Sequence, residues 1–200
     1  MEQTNEATPT MRTLSAPGLT LEPQCAGHAD EMFAVLHDSA LFTYLDEAPP
    51  TSAAALRERF ARLESRRSAD GREQWLNWAI RLESAELAGF VQATVCEGGL
   101  AWIAFVIGRE FWGRGVAQRA ARAVLEEGSQ RYAVTHWLAT ADQRNQRSIR
   151  LLRHLGFTQA APALHAEHGV AQTDVLMRLT PAIRSQPEHL AEDGSRLSPG

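Results

Sequence analysis

Hydrophobic positions along the chain switch several times between the spacing of a helix and the alternation of a strand. The predicted elements are, in order, a strand at 19–23, helices at 28–38 and from Thr51 or Ser52 to the Asp70-Gly71 turn, strands at 74–82, 88–96 and 100–107, a helix at 116–130, a strand at 134–140, a short helix at 148–154 and a strand near 173–179. Glu97-Gly98-Gly99 favours a hairpin turn within the strand series. This order of elements predicts a mixed α/β domain.

The length of the chain and the polarity of its ends set the expected domain organisation. At 200 residues the chain is long enough for one domain with a buried core. We expect a single domain at residues 13–182, a flexible arm at 1–12 and a polar tail at 183–200. No apolar run reaches the roughly 20 residues of a membrane helix, and the polar start is unlike a signal peptide. A cytoplasmic protein with no membrane partner is therefore expected.

Charge and cysteine content argue against several classes of function. The net charge of −4 argues against a nucleic-acid partner. Cys25 and Cys96 lack metal-ligand spacing and the histidines form no HExxH motif, so we expect no metal. All 20 basic residues are arginine, which excludes a P-loop lysine and a lysine Schiff base.

Arginine is concentrated in one stretch of the sequence. Residues 109–153 hold nine arginines and four carboxylates, a local charge of +5 in a chain that is acidic overall. Two interpretations stay open for this stretch: a site for an anionic ligand, or helix faces exposed to solvent.

The segment from Ile107 to Ala117 joins the end of a strand, two closely spaced glycines and the start of a helix. Gly113 and Gly115 allow the backbone to approach a ligand closely. The first N–H groups of a helix have no internal partners and lie at the positive end of its dipole, where a pyrophosphate fits. Residues 114–118 contain no carboxylate. The sequence therefore predicts an anion-binding turn.

Two other glycine-rich phosphate loops do not match this segment. The P-loop pattern, GxxxxGK followed by Ser or Thr, is absent. The dinucleotide pattern GxGxxG requires glycine or alanine where Gln118 stands, and it opens a strand–helix–strand unit rather than following a meander. A GxG pair alone is a weak indication of a nucleotide-type ligand.

A second motif follows the next predicted strand, about 30 residues after the glycine loop. It is NQRSIRLLRHLGF at residues 145–157, and it accompanies FWGRGVA at 111–117 and the strand start GFV at 89–91. Together these motifs resemble the GNAT acetyltransferases, and within them the Rim-type branch of ribosomal-protein N-terminal acetyltransferases. The resemblance is strong over residues 87–157 and thinner over 13–86 and 158–180.

The resemblance implies a GNAT fold, a twisted mixed sheet of about six to seven strands flanked by about four helices. Its central strands, at 100–107 and 134–140, would splay apart. Acetyl-coenzyme A would be the co-substrate, with its pantetheine arm in the splay and its pyrophosphate on the glycine loop. The residues expected to bind it are Phe105, Val106, Ile107, Gly113, Arg114, Gly115, Val116, Ala117, Gln118 and Asn145, with Trp112 added because it stands in the loop.

Two residues are candidates for the chemistry by the same resemblance. Ser148 would lie near the thioester sulfur, and Glu167 would take the proton of the attacking amine. Each has a structural alternative, because Ser148 can cap the helix that follows Asn145 and Glu167 can be a polar residue of a hairpin turn beside Gly169. An amide near Val106 would stabilise the oxyanion.

Two positions depart from the family pattern. Glu110 stands where Gln or Arg is common, and Leu152 stands where many members carry a tyrosine general acid. Leucine at that position suits the Rim-type branch. The strand at 100–107 offers no carboxylate or histidine, and His136 and Asp142 are weaker candidates for the base.

Two functions stay open from the sequence. The first is an N-acetyltransferase in which a primary amine attacks acetyl-coenzyme A directly, the acceptor being a protein N-terminal α-amine or a small-molecule amine. The second is a non-catalytic acyl-coenzyme A-binding regulatory module, which the departures at Glu110 and Leu152 would fit. The sequence carries no code for the acceptor, and both a monomer and a homodimer are compatible with it.

Overall fold

The computed structural model describes residues 9–180, which form one open eight-stranded sheet with helices on both faces. The strands are β1 (Leu14–Ala16), β2 (Leu19–Pro23), β3 (Gln74–Leu82), β4 (Leu87–Val95), β5 (Leu100–Ile107), β6 (His136–Asp142), β7 (Thr158–Gln159) and β8 (Asp174–Leu179), in the order β1-β2-β3-β4-β5-β6-β8-β7. The helices are α1 (Ala29–Leu36), α2 (Ala53–Leu63), α3 (Val116–Arg131), α4 (Gln146–His154) and α5 (Pro162–Glu167). Residues 1–8 of the predicted arm and the predicted tail at 183–200 lie outside the described residues.

The predicted α/β order is confirmed, with differences where elements are very short. β1 and β7 are three and two residues long, too short for an apolar alternation to predict, and they raise the strand count above the expected six or seven. The short helix α5 stands where the sequence suggested only a turn, and Pro162 occupies its first turn, where proline is favoured. Ser52 caps α2 by accepting a hydrogen bond from the Ala55 N–H at 3.1 Å.

Two hydrophobic cores lie on opposite faces of the sheet. Helices α3 and α4 cover one face, which includes the fully buried Trp78 and Trp137. Helices α1 and α2 cover part of the other, where Met32 and Phe60 are buried. We call these the α3 face and the α1 face. Since successive strand residues point to opposite faces, the odd-numbered side chains of β5 lie on the α3 face and the even-numbered ones on the α1 face.

Residues 9–12, the part of the predicted arm that the structure describes, are bound against helix α3. The buried carboxylate of Glu127 accepts a hydrogen bond from Arg12 Nη2 at 2.7 Å and from Arg131 Nη1 at 3.1 Å. The Trp78 indole N–H donates to the Arg12 carbonyl at 3.0 Å. The chain before β1 is therefore tied to both α3 and the sheet.

The two central strands of the sheet separate along their length. β5 and β6 are parallel and pair only at residues 100–102 and 136–138. Beyond that point residues 103–107 and 139–142 do not pair with each other, although each strand stays paired with its outer neighbour. The predicted splay is confirmed, and it leaves a gap in the centre of the sheet.

Candidate functional site

Backbone groups of β5 face the gap without a strand partner. At the end of the β4–β5 ladder the Gly108 N–H donates to the Ala88 carbonyl at 2.9 Å. Because bonded positions alternate in an antiparallel ladder, even-numbered residues of β5 bond to β4 and odd-numbered residues point the other way. The backbone N–H and C=O groups of Ile103, Phe105 and Ile107 therefore point into the gap.

Strand β6 borders the gap from the other side by the same rule. The Gln143 N–H donates to the Thr173 carbonyl at 2.9 Å, so odd-numbered residues of β6 bond to β8. Thr140 and Asp142 then face the gap, and the Asp142 carbonyl accepts a hydrogen bond from the Asn145 N–H at 2.8 Å. A gap with amide groups on both sides suits an extended ligand that carries amides of its own.

A cavity of about 720 Å³ follows the gap, a volume in the range of small-molecule sites. Its walls come from residues within 103–107 of β5, 111–118 of the glycine loop and α3, 139–152 of β6 and α4, and 40–46 after α1, together with Asp174. The cavity therefore brings together the two motifs that the sequence singled out and a segment that it did not.

The glycine loop presents an open helix N-terminus to the cavity. Gly113 and Gly115 have positive φ angles of 77° and 70°, which favour glycine. No side chain of the described residues caps α3, and its first turn has no carboxylate. The N–H groups of residues 116–118 therefore lack helical partners at the positive end of the dipole. Arg119 Nη1 braces the loop by donating to the Arg114 carbonyl at 2.9 Å.

Trp112 connects the two sides of the cavity. Its indole N–H donates to the Ile107 carbonyl at 2.7 Å, which occupies one of the strand groups that face the gap. From α4, the guanidinium carbon of Arg147 lies 3.7 Å from the Trp112 ring centroid, a cation–π arrangement. Arg147 forms no ion pair with any carboxylate of residues 9–180, so its charge is available to an anionic ligand.

Asn145 and Ser148 stand at the start of α4. The Asn145 Oδ1 accepts a hydrogen bond from the Ser148 N–H at 3.1 Å, so Asn145 is the cap of this helix. The alternative in which Ser148 caps the helix is wrong, since Ser148 lies inside the helix, three residues after the cap. Ser148 is half-buried and lines the cavity.

The α1 face of the cavity is acidic. Asp142 and Asp174 are cross-strand partners on β6 and β8. Arg144 donates to both oxygens of Asp142, from Nε to Oδ1 at 2.9 Å and from Nη2 to Oδ2 at 2.6 Å. These hydrogen bonds from Arg144 lower the pKa of Asp142 to about 2. The Arg144 guanidinium also lies 5.7 Å from the ring centroid of Tyr44, which connects this corner to the segment after α1.

Eleven of the thirteen predicted site residues line the cavity. The exceptions are Arg114, whose guanidinium lies 5.7 Å from the Phe111 ring centroid, and Glu167, which is exposed at the end of α5. Val106 lines the cavity with its side chain only, because its backbone groups face β4. The amides of the neighbouring odd-numbered residues are better directed to stabilise an oxyanion than the expected one near Val106.

Several cavity residues were not predicted from the sequence. They are Tyr44 and Asp46 after α1, Asp174 at the start of β8, and Arg144, Arg147 and Arg150 around α4. The arginines belong to the basic stretch noted above, which was a signal for an anion site. Nothing local marks Tyr44 or Asp174, and the acidic pair Asp46-Glu47 is as typical of exposed surface as of a site for a cationic acceptor. Their place at the cavity depends on the packing of distant segments.

The structure also bears on membrane and metal sites. Within residues 9–180 no helix is both long and apolar enough to cross a membrane. The same residues contain no group of three or more His, Cys, Asp or Glu side chains arranged to hold a metal ion.

The chain belongs to the GNAT family of acetyltransferases. The family model described as Acetyltransferase (GNAT) domain matches residues 18–158, which include the glycine loop, the central gap and Asn145. The family resemblance of the two sequence motifs is thereby confirmed. A search of curated proteins finds no match to the chain.

Several solved acetyltransferase structures share the fold. The RimL ribosomal L7/L12 alpha-N-protein acetyltransferase in complex with coenzyme A has a TM-score of 0.69 at 19% identity, covering 84% of this chain and 98% of that one. The ribosomal-protein-S5-alanine acetyltransferase from Vibrio fischeri gives 0.69 at 13%, with 85% and 97% covered. A GNAT-family acetyltransferase from Bacillus anthracis gives 0.67 at 17%, with 84% and 98% covered. At these identities the likeness establishes the fold.

Proposed function

We propose that the protein transfers an acetyl group from acetyl-coenzyme A to a primary amine, by direct attack of the amine on the thioester. The observation that carries the proposal is the gap between β5 and β6, which has unpaired backbone groups on both sides and opens beside the glycine loop. Membership of the GNAT family supports the reaction class. A structure of this fold, RimL, is known in complex with coenzyme A.

The residues around the gap fit coenzyme A in their chemistry. Its pantetheine arm carries amides, which match the backbone groups of Ile103 and Phe105 in the gap. Its pyrophosphate matches the free N–H groups of residues 116–118. The Nε of Arg119 is buried without a hydrogen-bond partner among residues 9–180 and adds a donor near that turn. Asn145, Trp112 and the other predicted cavity residues complete the proposed coenzyme site.

The chemistry of acetyl transfer needs a proton for the leaving thiolate and a group that removes the proton of the amine. We propose that the hydroxyl of Ser148 supplies the proton for the thiolate. Ser148 bonds to the Asn145 cap through its backbone N–H, so capping of the helix does not use the hydroxyl. The family resemblance names Glu167 for the second. That assignment stays a prediction, since the exposed Glu167 is not among the residues that line the cavity.

The proposed acceptor is either a protein N-terminal α-amine or a small-molecule amine. The Rim-type neighbours are named for ribosomal proteins, which supports the first class. The carboxylates of Asp46 and Asp174 at the cavity support a cationic amine of either class.

The test is release of thiol from acetyl-coenzyme A in the presence of peptides with free N-termini and of small amines. We expect release with at least one amine, and a large reduction on Ser148→Ala. Calorimetry with coenzyme A measures binding separately. Heat of binding without transfer to any amine would instead favour the non-catalytic acyl-coenzyme A-binding module.

A matched pair of glycine variants tests the coenzyme site itself. Gly115 and Gly71 have similar positive φ angles, 70° and 75°, but Gly71 lies in an open turn away from the cavity. We expect Gly115→Val to abolish coenzyme A binding and Gly71→Val to preserve it. Equal binding by both variants would contradict the proposed site.

A further inference from the structure

The cavity is open to both faces of the sheet, and the two faces differ in chemistry. The glycine loop and α4 lie on the α3 face. On β6 and β8 the odd-numbered side chains, such as Ala141 and Val175, pack with the α3 core, so Asp142 and Asp174 lie on the α1 face. Under the proposed function the coenzyme occupies the α3 side, which leaves the α1 side for the acceptor amine.

The cavity offers few groups that can take a proton from an amine. Among the described residues that line it there is no histidine, glutamate or cysteine. The carboxylates are Asp46, Asp142 and Asp174. The carboxylates that could act as general base in the cavity are therefore these three.

Asp142 and Asp46 are poorly suited to act as the base. Both oxygens of Asp142 are engaged by the Arg144 side chain, and its Oδ1 also accepts the Arg144 N–H at 2.7 Å. Protonating Asp142 would break this set of charge-assisted hydrogen bonds. Asp46 is exposed in the segment between α1 and α2 and lies outside the regular elements that fix a side chain.

Asp174 combines a fixed position with a carboxylate that pairs with no arginine of residues 9–180. It is half-buried at the start of β8, in register with Asp142. Its backbone is held on both sides, because its N–H donates to the Ala171 carbonyl at 3.0 Å and its carbonyl lies 3.0 Å from His165 Nε2. Its Oδ1 accepts a hydrogen bond from the Thr173 hydroxyl at 3.3 Å. The rest of its accepting capacity is open to a substrate.

We infer that Asp174 is the general base of this acetyltransferase, in the role that the resemblance gave to Glu167; the inference rests on the proposed function. Asp174 takes one proton from the ammonium form of the acceptor, which frees the amine to attack the thioester. As the new N–C bond forms and the thioester C–S bond breaks, the nitrogen gives its second proton to solvent. Ser148 donates a proton to the departing thiolate and regains one from solvent. Asp174 releases the proton that it accepted to solvent. Arg144 neutralises Asp142, so the negative charge that meets the ammonium form of the acceptor comes from Asp174, with the exposed Asp46 at the rim.

The test compares Asp174→Asn with Glu167→Gln, each an isosteric loss of one carboxylate, using acetyl-coenzyme A and alaninamide as the probe amine. We expect Asp174→Asn to lower kcat/KM by roughly 10²- to 10⁴-fold, the usual contribution of a general base, and to exceed the effect of Glu167→Gln by far. Calorimetry with coenzyme A is expected to give the same affinity for Asp174→Asn and the wild type. Unchanged coenzyme binding also shows that the variant is folded.

A second probe separates proton removal from a structural role. Methoxyamine is uncharged at neutral pH, so it depends much less on a base, and the deficit of Asp174→Asn is expected to shrink with it. An equal deficit with both amines, or a loss confined to Glu167→Gln, would overturn the inference while leaving the acetyltransferase function intact. No transfer by the wild type to any amine would overturn the proposed function as well.

Discussion

The guanidinium of Arg147 stacks on the indole of Trp112, 3.7 Å from its ring centroid. The two residues belong to different sides of the central gap, since Trp112 follows β5 and Arg147 lies in α4, after β6. Trp112 is itself fixed by its hydrogen bond to the Ile107 carbonyl. The contact therefore links the two sides of the gap beside the glycine loop, where the coenzyme phosphates are proposed to bind.

Replacing Arg147 by alanine is expected to weaken coenzyme A binding. The variant loses a positive charge at the cavity wall, and an exposed ionic contact to a phosphate contributes about 0.2–1 kcal/mol, which corresponds to roughly a 1.5- to 5-fold rise in Kd. Calorimetry with coenzyme A measures the change. Arg153→Ala is the control, because Arg153 is on the same helix but does not line the cavity; equal affinity of the two variants would refute the role of Arg147.

Gly89→Ala is expected to destabilise the fold beside the site. A Cβ at Gly89 would lie 2.0 Å from the Val106 carbonyl oxygen, and the φ angle of 140° disfavours any other residue. Since the clash is with backbone, β4 or β5 must shift, at a cost of about 1–3 kcal/mol or more in the free energy of unfolding. Urea denaturation measures this cost. Gly18→Ala shares a positive φ but meets nothing within 4 Å, so a comparable loss there would show that backbone strain alone is responsible.

Asp142 is expected to make stability depend on pH under acidic conditions. Hydrogen bonds from Arg144 lower its pKa from the ordinary 3.8 to about 2 in the folded protein. Because the pKa of Asp142 is lower in the folded than in the unfolded protein, its ionised form stabilises the fold at pH values above the unfolded-state pKa. This contribution is lost as the pH falls from about 4 towards 2. The melting temperatures of the wild type and Asp142→Asn should therefore differ at pH 5 and converge near pH 2. A constant difference over this range would contradict the assignment.

Arg12→Ala is expected to lower stability although Arg12 lies before the first strand. Its guanidinium donates to the carboxylate of Glu127, whose side chain is only 2% exposed. Without it the buried carboxylate of Glu127 keeps only its hydrogen bond from Arg131, so a buried charge loses part of its compensation. Arg57→Ala is the control, since the Arg57–Asp30 pair joins side chains that are 47% and 69% exposed and contributes about 0–1 kcal/mol. Urea denaturation should show a larger loss in the free energy of unfolding for Arg12→Ala than for Arg57→Ala.

The parts of the site that could be predicted from the sequence are those set by local backbone chemistry. Gly113 and Gly115 indicated an anion-binding turn because their positive φ angles and the free amides after them depend only on neighbouring residues. Asn145 belonged to a recognisable motif for a similar reason, since its side chain caps the helix that it begins. The splay followed from the family resemblance rather than from any local pattern.

The parts that could not be predicted depend on contacts between distant segments. Asp174 reaches the cavity only because β8 pairs beside β6, with β7 outside it. Tyr44 reaches it through its contact with Arg144, 100 positions later in the chain. Glu167 was selected by its spacing from a motif, and spacing does not reveal that a short helix beginning at Pro162 leaves its side chain exposed.

Strand β5 has one set of amides bonded to β4 and a second set directed into the gap. Amide hydrogen exchange distinguishes the two sets residue by residue along a single strand. A ligand lying in the gap would slow exchange at Phe105 while leaving its neighbours Ala104 and Val106 nearly unchanged. β5 therefore contains its own internal reference, and occupancy of the site can be followed in solution before any acceptor is known.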